Sequence, residues 1–89
     1  MGTVPEISRF FGITIRMYFN DHQPPHFHAY YGDDEALIDI ESLEVRRGSV
    51  PKRALLLVTE WASQHREELR RDWDLARSGM TPSPIRPLE

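Results

Sequence analysis

Three histidines, His22, His26 and His28, fall within one short segment that reads Asp21-His22-Gln23-Pro24-Pro25-His26-Phe27-His28. On an extended chain, residues i and i+2 point the same way about 7 Å apart, so His26 and His28 can converge on one ion. His22 lies four residues earlier, across the Pro24-Pro25 bend, where it can supply a third nitrogen. Three imidazoles with an open position form the ligand set of a catalytic zinc site. Asp21 either replaces one ligand or orients a ring from outside the coordination sphere. On this reading the cofactor is a divalent metal such as zinc, and the activity is that of a metal-dependent hydrolase or nuclease. The alternative to all of this is a set of surface or hydrogen-bonding histidines shaped by a Pro-Pro turn.

The same residues suit chemistry without a metal. Histidine titrates near neutrality, so His26 and His28 can act as general acid and base. Arg16 can hold a phosphate with two hydrogen bonds, and Tyr18 or Tyr30 can stack a base. That set fits RNA cleavage, where the 2′-hydroxyl supplies the nucleophile.

A third reading is a binding module. Arg46, Arg47, Lys52 and Arg53 lie within eight residues with few acids beside them. Lys52 and Arg53 fall in the first turn of an expected helix, where the dipole disfavours cations. Charge kept there is either used on a partner protein, RNA or DNA, or simply exposed at a cost of a few tenths of a kcal/mol each. Arg66, Arg70, Arg71 and Arg77 alternate with Glu67, Glu68, Asp72 and Asp74, the pattern of a solvated helix face with Glu67 spaced to pair with Arg71.

The elements that must position these groups follow from periodicity. Ile13, Ile15, Met17 and Phe19 alternate with Thr14, Arg16, Tyr18 and Asn20, which predicts a half-buried strand over 13–20. Two prolines interrupt it. A second strand over 26–31 turns Phe27, Ala29 and Tyr31 inward and His26, His28 and Tyr30 outward. Gly32-Asp33-Asp34 is a hairpin turn. A third strand then points Ala36, Ile38 and Ile40 inward and Leu37, Asp39 and Glu41 outward. Residues 43–47 suit a short fourth strand ended by Gly48.

Ser49 reads as an N-cap with Pro51 in the first turn, and apolar residues then recur with helical period from Ala54 to Ala76. A continuous helix over 51–77 would be ~40 Å long, whereas a globule of this size is only ~30 Å across. The helix therefore bends or breaks near Ser63-Gln64. His65 falls on its apolar stripe as a satisfied, half-buried histidine. Trp61 and Trp73 are core or interface anchors, Trp61 with Val58 against Ile15, Met17 and Phe27. Trp73 is free to anchor a homodimer instead.

The expected fold is α+β: an antiparallel sheet of three or four strands, then one long or kinked helix on one face. The domain is expected to span 1–79. Residues 80–89, with three prolines from Pro82 onward, form a tail that is extended, disordered or docked. One sheet face then displays Arg16, Tyr18, Asn20, His26, His28, Tyr30, Asp39 and Glu41.

Composition bounds the rest. The 89 residues allow one domain, and the absence of cysteine excludes disulfides and thiolate metal sites. A net charge of −3 argues against non-specific nucleic-acid binding, which depends on neutralising phosphates. No run approaches the ~20 apolar residues of a membrane span. Without a recognisable signal sequence the expected location is the cytoplasm.

The opening Pro5-Glu6-Ile7-Ser8-Arg9-Phe10-Phe11-Gly12-Ile13, the run from Met17 to Ala29, and Tyr31-Gly32 resemble a prokaryotic family known as domain of unknown function 4160. Pro51-Lys52-Arg53-Ala54-Leu55, Glu60-Trp61-Ala62, His65-Arg66-Glu67-Glu68-Leu69 and Trp73 extend the resemblance to about residues 4–79. The resemblance implies a gene neighbourhood like that of toxin–antitoxin pairs, with a small protein encoded alongside as partner. The reading placed first is therefore a small accessory or regulatory module of a two-gene system, with the His22, His26 and His28 face as its working surface.

Overall fold

The computed structural model describes residues 4–89. Five antiparallel strands form one sheet in sequence order: β1 (Glu6–Phe10), β2 (Ile13–Arg16), β3 (His26–Tyr31), β4 (Asp34–Asp39) and β5 (Val45–Ser49). Two helices follow, α1 (Lys52–Gln64) and α2 (Arg66–Arg77). The α+β expectation holds, with one strand more and two helices in place of one.

The additional strand is β1. It joins β2 through Phe11-Gly12, where both residues have positive φ, 47° and 78°. Two such residues make the turn whose twist matches a hairpin. Phenylalanine at the first of these positions gives no turn signal, so the hairpin is hidden in the sequence. β2 is shorter than the alternation suggests and ends at Arg16. Asn20 takes φ 51°, and its N–H donates to the Ala76 carbonyl of α2 at 3.2 Å rather than to a neighbouring strand. Phe19, expected inside, is therefore 40% exposed.

β5 runs to Ser49, so Ser49 is a strand residue and not a helix cap; Pro51 holds the N-cap position. Between Leu37 and Ile38 the β4–β5 register slips: Leu37 pairs with Arg47 and Ile38 with Val45. Two steps on β5 match one on β4, which is a bulge. Its consequence is that consecutive arginines reach the same side of the sheet.

The core lies between one sheet face and the helices. Ile15, Met17, Phe27, Ile38, Val58 and Trp61 are all at 0% exposure, as the periodicities require. The Trp61 ring meets Phe27 edge-on at 5.8 Å between centroids. The helix break is at His65, with φ −126° and ψ 25°, one residue past the expected point. It keeps the molecule within 33 × 26 × 22 Å. His65 is half-buried, as expected, and its Nδ1 is 2.6 Å from Glu68 Oε1. Glu67 approaches Arg70, at 3.6 Å, rather than Arg71.

The tail is extended and docked. Ile85 is in the core and its N–H donates to the Ile7 carbonyl at 2.7 Å, along the free edge of β1. Trp61 Nε1 donates to the Arg86 carbonyl at 2.9 Å, and the Ser83 N–H donates to Asp72 Oδ1 at 2.8 Å. The segment expected to lie outside the domain thus completes its core.

Candidate metal centre and its cleft

Strand register assembles the open face row by row. Arg16 pairs with His28, His28 with Leu37, and Leu37 with Arg47. The next row runs Thr14, Tyr30, Glu35 and Ser49. His26 and Asp39 begin the row on the other side. Tyr18, beyond the end of β2, folds over this surface and packs edge-on against the His28 ring at 4.5 Å.

The loop between β2 and β3 brings Asp21 back onto the histidines. Asp21 Oδ2 lies 2.9 Å from His26 Nε2 and 3.3 Å from His28 Nε2. The other ring nitrogens are also engaged. His26 Nδ1 is 2.7 Å from the Pro24 carbonyl oxygen, and His28 Nδ1 is 2.8 Å from Glu35 Oε2. A carbonyl and a carboxylate only accept, so each Nδ1 must carry the proton and donate. In the neutral ring the Nε2 lone pair is then left facing Asp21. The candidate ligand atoms of Asp21, His26 and His28 all lie within 4.8 Å of one another.

Environment divides the three histidines. His26 is closed off from solvent by the Trp73 indole, 5.0 Å between ring centroids. His28 keeps 11% of its side chain exposed, toward the cleft. His22, expected as a ligand beside the other two, is 63% exposed, and its Nε2 stands 3.6 Å from the second Asp21 oxygen. The backbone accounts for this: the His22 N–H donates to Asp21 Oδ1 and its own Nδ1 turns to the Gln23 carbonyl. Asp21 takes the central place and His22 stands at the rim.

A polar network backs the site. Tyr18 and Tyr30 are hydrogen bonded through their hydroxyls, and Glu35 approaches the same end of Tyr30. Burial, then the Tyr18 and Glu35 bonds, push the Tyr30 hydroxyl pKa well up. The Glu35 carboxyl is held low chiefly by the His28 N–H it accepts, against some burial. Burial alone would raise the Asp21 carboxyl; the His22 N–H and the two imidazoles outweigh it and hold it low.

The residues singled out from the sequence separate in space. Arg16 lies over the Tyr30 ring, 5.2 Å from its centroid. Arg47 lines a cleft of ≈ 370 Å³ with Tyr18, Asp21, His22, His28 and Leu37. Arg46 is committed to Asp39, Nε to Oδ2 at 2.9 Å. Arg53 lines a different, apolar groove with Phe11, Tyr31 and Leu57. Lys52 is exposed at the start of α1, so the basic cluster is not one surface. Tyr31, expected inside, is 37% exposed beside that groove, and Leu37, expected outward, is covered to 8% on the cleft floor. Trp73, open to an interface role, is 4% exposed and packs within its own chain. Glu35 was missed because an acid beside a hairpin turn looks like plain surface until β4 pairs with β3.

Fold and site together define a small α+β domain with a two-histidine, one-carboxylate cluster on the open face of its sheet. A family model described as Domain of unknown function (DUF4160) matches residues 12–74, well over half of the chain, and the protein belongs to that family. No curated protein and no solved structure matches it. Among the described residues no helix is long and apolar enough to cross a membrane.

Proposed function

We propose that this protein is a metal-dependent hydrolase whose ion is held by Asp21, His26 and His28. One observation carries the reading: two imidazoles, each with Nδ1 committed as a donor, aim Nε2 at one carboxylate oxygen, at 2.9 and 3.3 Å. Positive charge has to sit among those three atoms. It comes either from imidazolium protons or from one divalent cation. His26 is buried, and a buried imidazolium–carboxylate pair carries a desolvation penalty of several kcal/mol per ion that its attraction only partly offsets. A cation with two neutral nitrogens and one carboxylate is a common solution, and Nδ1–H donation to a carbonyl or carboxylate is the usual way such ligands are oriented. Nitrogen and oxygen ligands favour zinc among the abundant ions.

The centre opens on the cleft through the partly exposed edge of His28. An ion held there by Asp21, His26 and His28 would polarise a substrate oxygen and lower the pKa of a water toward ~7. His22, at the rim, is placed to exchange protons with solvent. The metal-free acid–base alternative loses support because both His26 nitrogens are occupied and its ring is sealed. The test is metal content of untagged protein, with zinc, nickel, manganese and iron quantified, beside Asp21→Asn and the His26→Gln, His28→Gln double variant. Near-stoichiometric metal in the parent and loss in both variants is expected. A parent that neither retains nor takes up metal ends this reading.

A second reading is an accessory or regulatory module of a toxin–antitoxin-like pair, with a neighbouring small protein as partner. The observation that favours it is the apolar groove at Phe11, Tyr31, Pro51, Ala54 and Leu57, ≈ 480 Å³, with Phe11 61% exposed. On this reading the neighbouring gene product binds the parent and the double histidine variant alike, and does not bind Phe11→Asp. Binding that follows the histidines and ignores Phe11 would remove it.

A further inference from the structure

The row that crosses the open face reads arginine, histidine, leucine, arginine: Arg16, His28, Leu37, Arg47. With strands about 4.8 Å apart, the two arginine Cα atoms are roughly 14 Å from each other, with His28 between them. Arginine side chains are long enough to lean inward over that span. Neither Arg16 nor Arg47 has a carboxylate within ion-pair distance among the described residues, while Arg9, Arg46 and Arg70 do. Arg16 Nε is shielded from solvent and has no hydrogen-bond partner among the described residues. The regular β4–β5 register, in which Ala36 pairs with Gly48 and Leu37 with Arg47, sets Arg47 on this row, and the bulge that follows takes up Arg46. Leu37, only 8% exposed, makes the floor apolar, which strengthens electrostatic contact above it.

We propose that the ligand of this cleft carries a phosphate group, bound between the Asp21, His26 and His28 centre and the guanidinium of Arg47, with Arg16 on the far side of His28. The proposal rests on the metal-centre reading for one of its two halves. The arginine half stands on the register row, the place of Arg47 in the cleft lining and its lack of an ion-paired acid among the described residues. A guanidinium presents paired donors that match two phosphate oxygens, and a divalent cation takes a third. The substrate class that follows is a phosphate ester. In its hydrolysis the water oxygen bonds to phosphorus, the P–O bond to the leaving alcohol breaks, and the water proton ends on that alcohol oxygen.

The test is calorimetric titration of the zinc-loaded protein with inorganic phosphate, with acetate as a planar control. Phosphate is expected to bind and acetate to bind more weakly. Arg47→Gln should weaken phosphate about tenfold or more, the usual loss for a hydrogen bond to a charged group, with zinc content unchanged. Equal phosphate affinity in the parent and Arg47→Gln overturns the proposal, as does acetate binding as tightly as phosphate. If the protein takes up no zinc, the metal reading has failed separately, and the same titration on metal-free protein decides the arginine half. Phosphate binding lost in Arg47→Gln keeps that half, and no arginine-dependent binding ends it.

Discussion

The imidazole of His26 lies against the indole of Trp73, 5.0 Å between ring centroids. One is a candidate ligand and the other a core residue of α2, so the hydrophobic core forms the back wall of the metal centre. A ring held on one side by packing and at both nitrogens by polar partners has little freedom to reorient. Trp73→Ala should cost about 3–5 kcal/mol in a denaturant melt, the usual range for emptying a buried tryptophan site. Trp73→Phe should keep the fold and lower metal affinity by leaving the His26 ring free to tilt. A Trp73→Phe protein with parental metal affinity would show that the indole supports only the core.

Glu35 accepts the Nδ1–H of His28 at 2.8 Å and is itself about half exposed. Glu35→Ala should therefore leave stability nearly unchanged. It should weaken metal binding about 10–100-fold, the usual effect of removing a group that orients a ligating histidine. Competition against a chelating dye measures this directly. Unchanged affinity would mean that His28 is not a ligand, or is held without Glu35.

Asp72 supplies a pH dependence. It is 2% exposed, Oδ1 accepts the Ser83 N–H, and Oδ2 has no hydrogen-bond partner among the described residues. Burial raises its carboxyl to about 6 from the ordinary 3.8, with Glu68 adding and Ser83 and Arg71 opposing. The folded state thus binds the proton more tightly than the unfolded chain. The stabilisation is complete below about pH 4 and is lost as pH rises through 6. Relative to Asp72→Asn, the parent should lose on the order of 2–3 kcal/mol between pH 4 and pH 7. Urea melts of the two proteins across that range check it, and a constant difference would refute it.

Truncation after Gly79 should destabilise by several kcal/mol. It exposes the Ile85 site, leaves Trp61 Nε1 without the Arg86 carbonyl, and removes the Ser83 N–H from Asp72. Burial of one isoleucine is worth roughly 1.5–3 kcal/mol, and each stranded buried polar group costs about 1–3. A truncated chain with the parental unfolding midpoint would show that the tail adds nothing to the core.

Gly48, next to Arg47 in β5 and paired with Ala36, has φ 74°, and a Cβ there would run into the Glu35 carbonyl oxygen. Backbone strain of this kind costs about 1–3 kcal/mol. Gly48→Ala should lose at least that in stability. It should also weaken phosphate binding, because the stretch of β5 that carries Arg47 has to shift away from β4. Stability loss with unchanged phosphate affinity would separate this stretch of β5 from the site.

The sequence by itself determined the α+β class, the inward faces of β2, β3 and β4 around Ile15, Phe27 and Ile38, and the break in the helical stretch. These follow from local periodicity and from the length a compact chain can hold. The sequence also marked His26 and His28 as a pair, since alternation on a strand is a local rule. What it could not determine depends on where distant segments meet. β1 escaped because Phe11 enters a positive-φ turn without a turn residue's composition. Asp21 and His22 exchanged importance because the path of a loop decides which of two neighbouring side chains points in. Glu35 reached His28, and Arg47 joined the same row, only through strand pairing, which leaves no local signature. The tail docked because Trp61 and Asp72 offered partners far away in the chain. Periodicity fixes which face a residue lies on, but only the packed chain fixes which residues share that face with it.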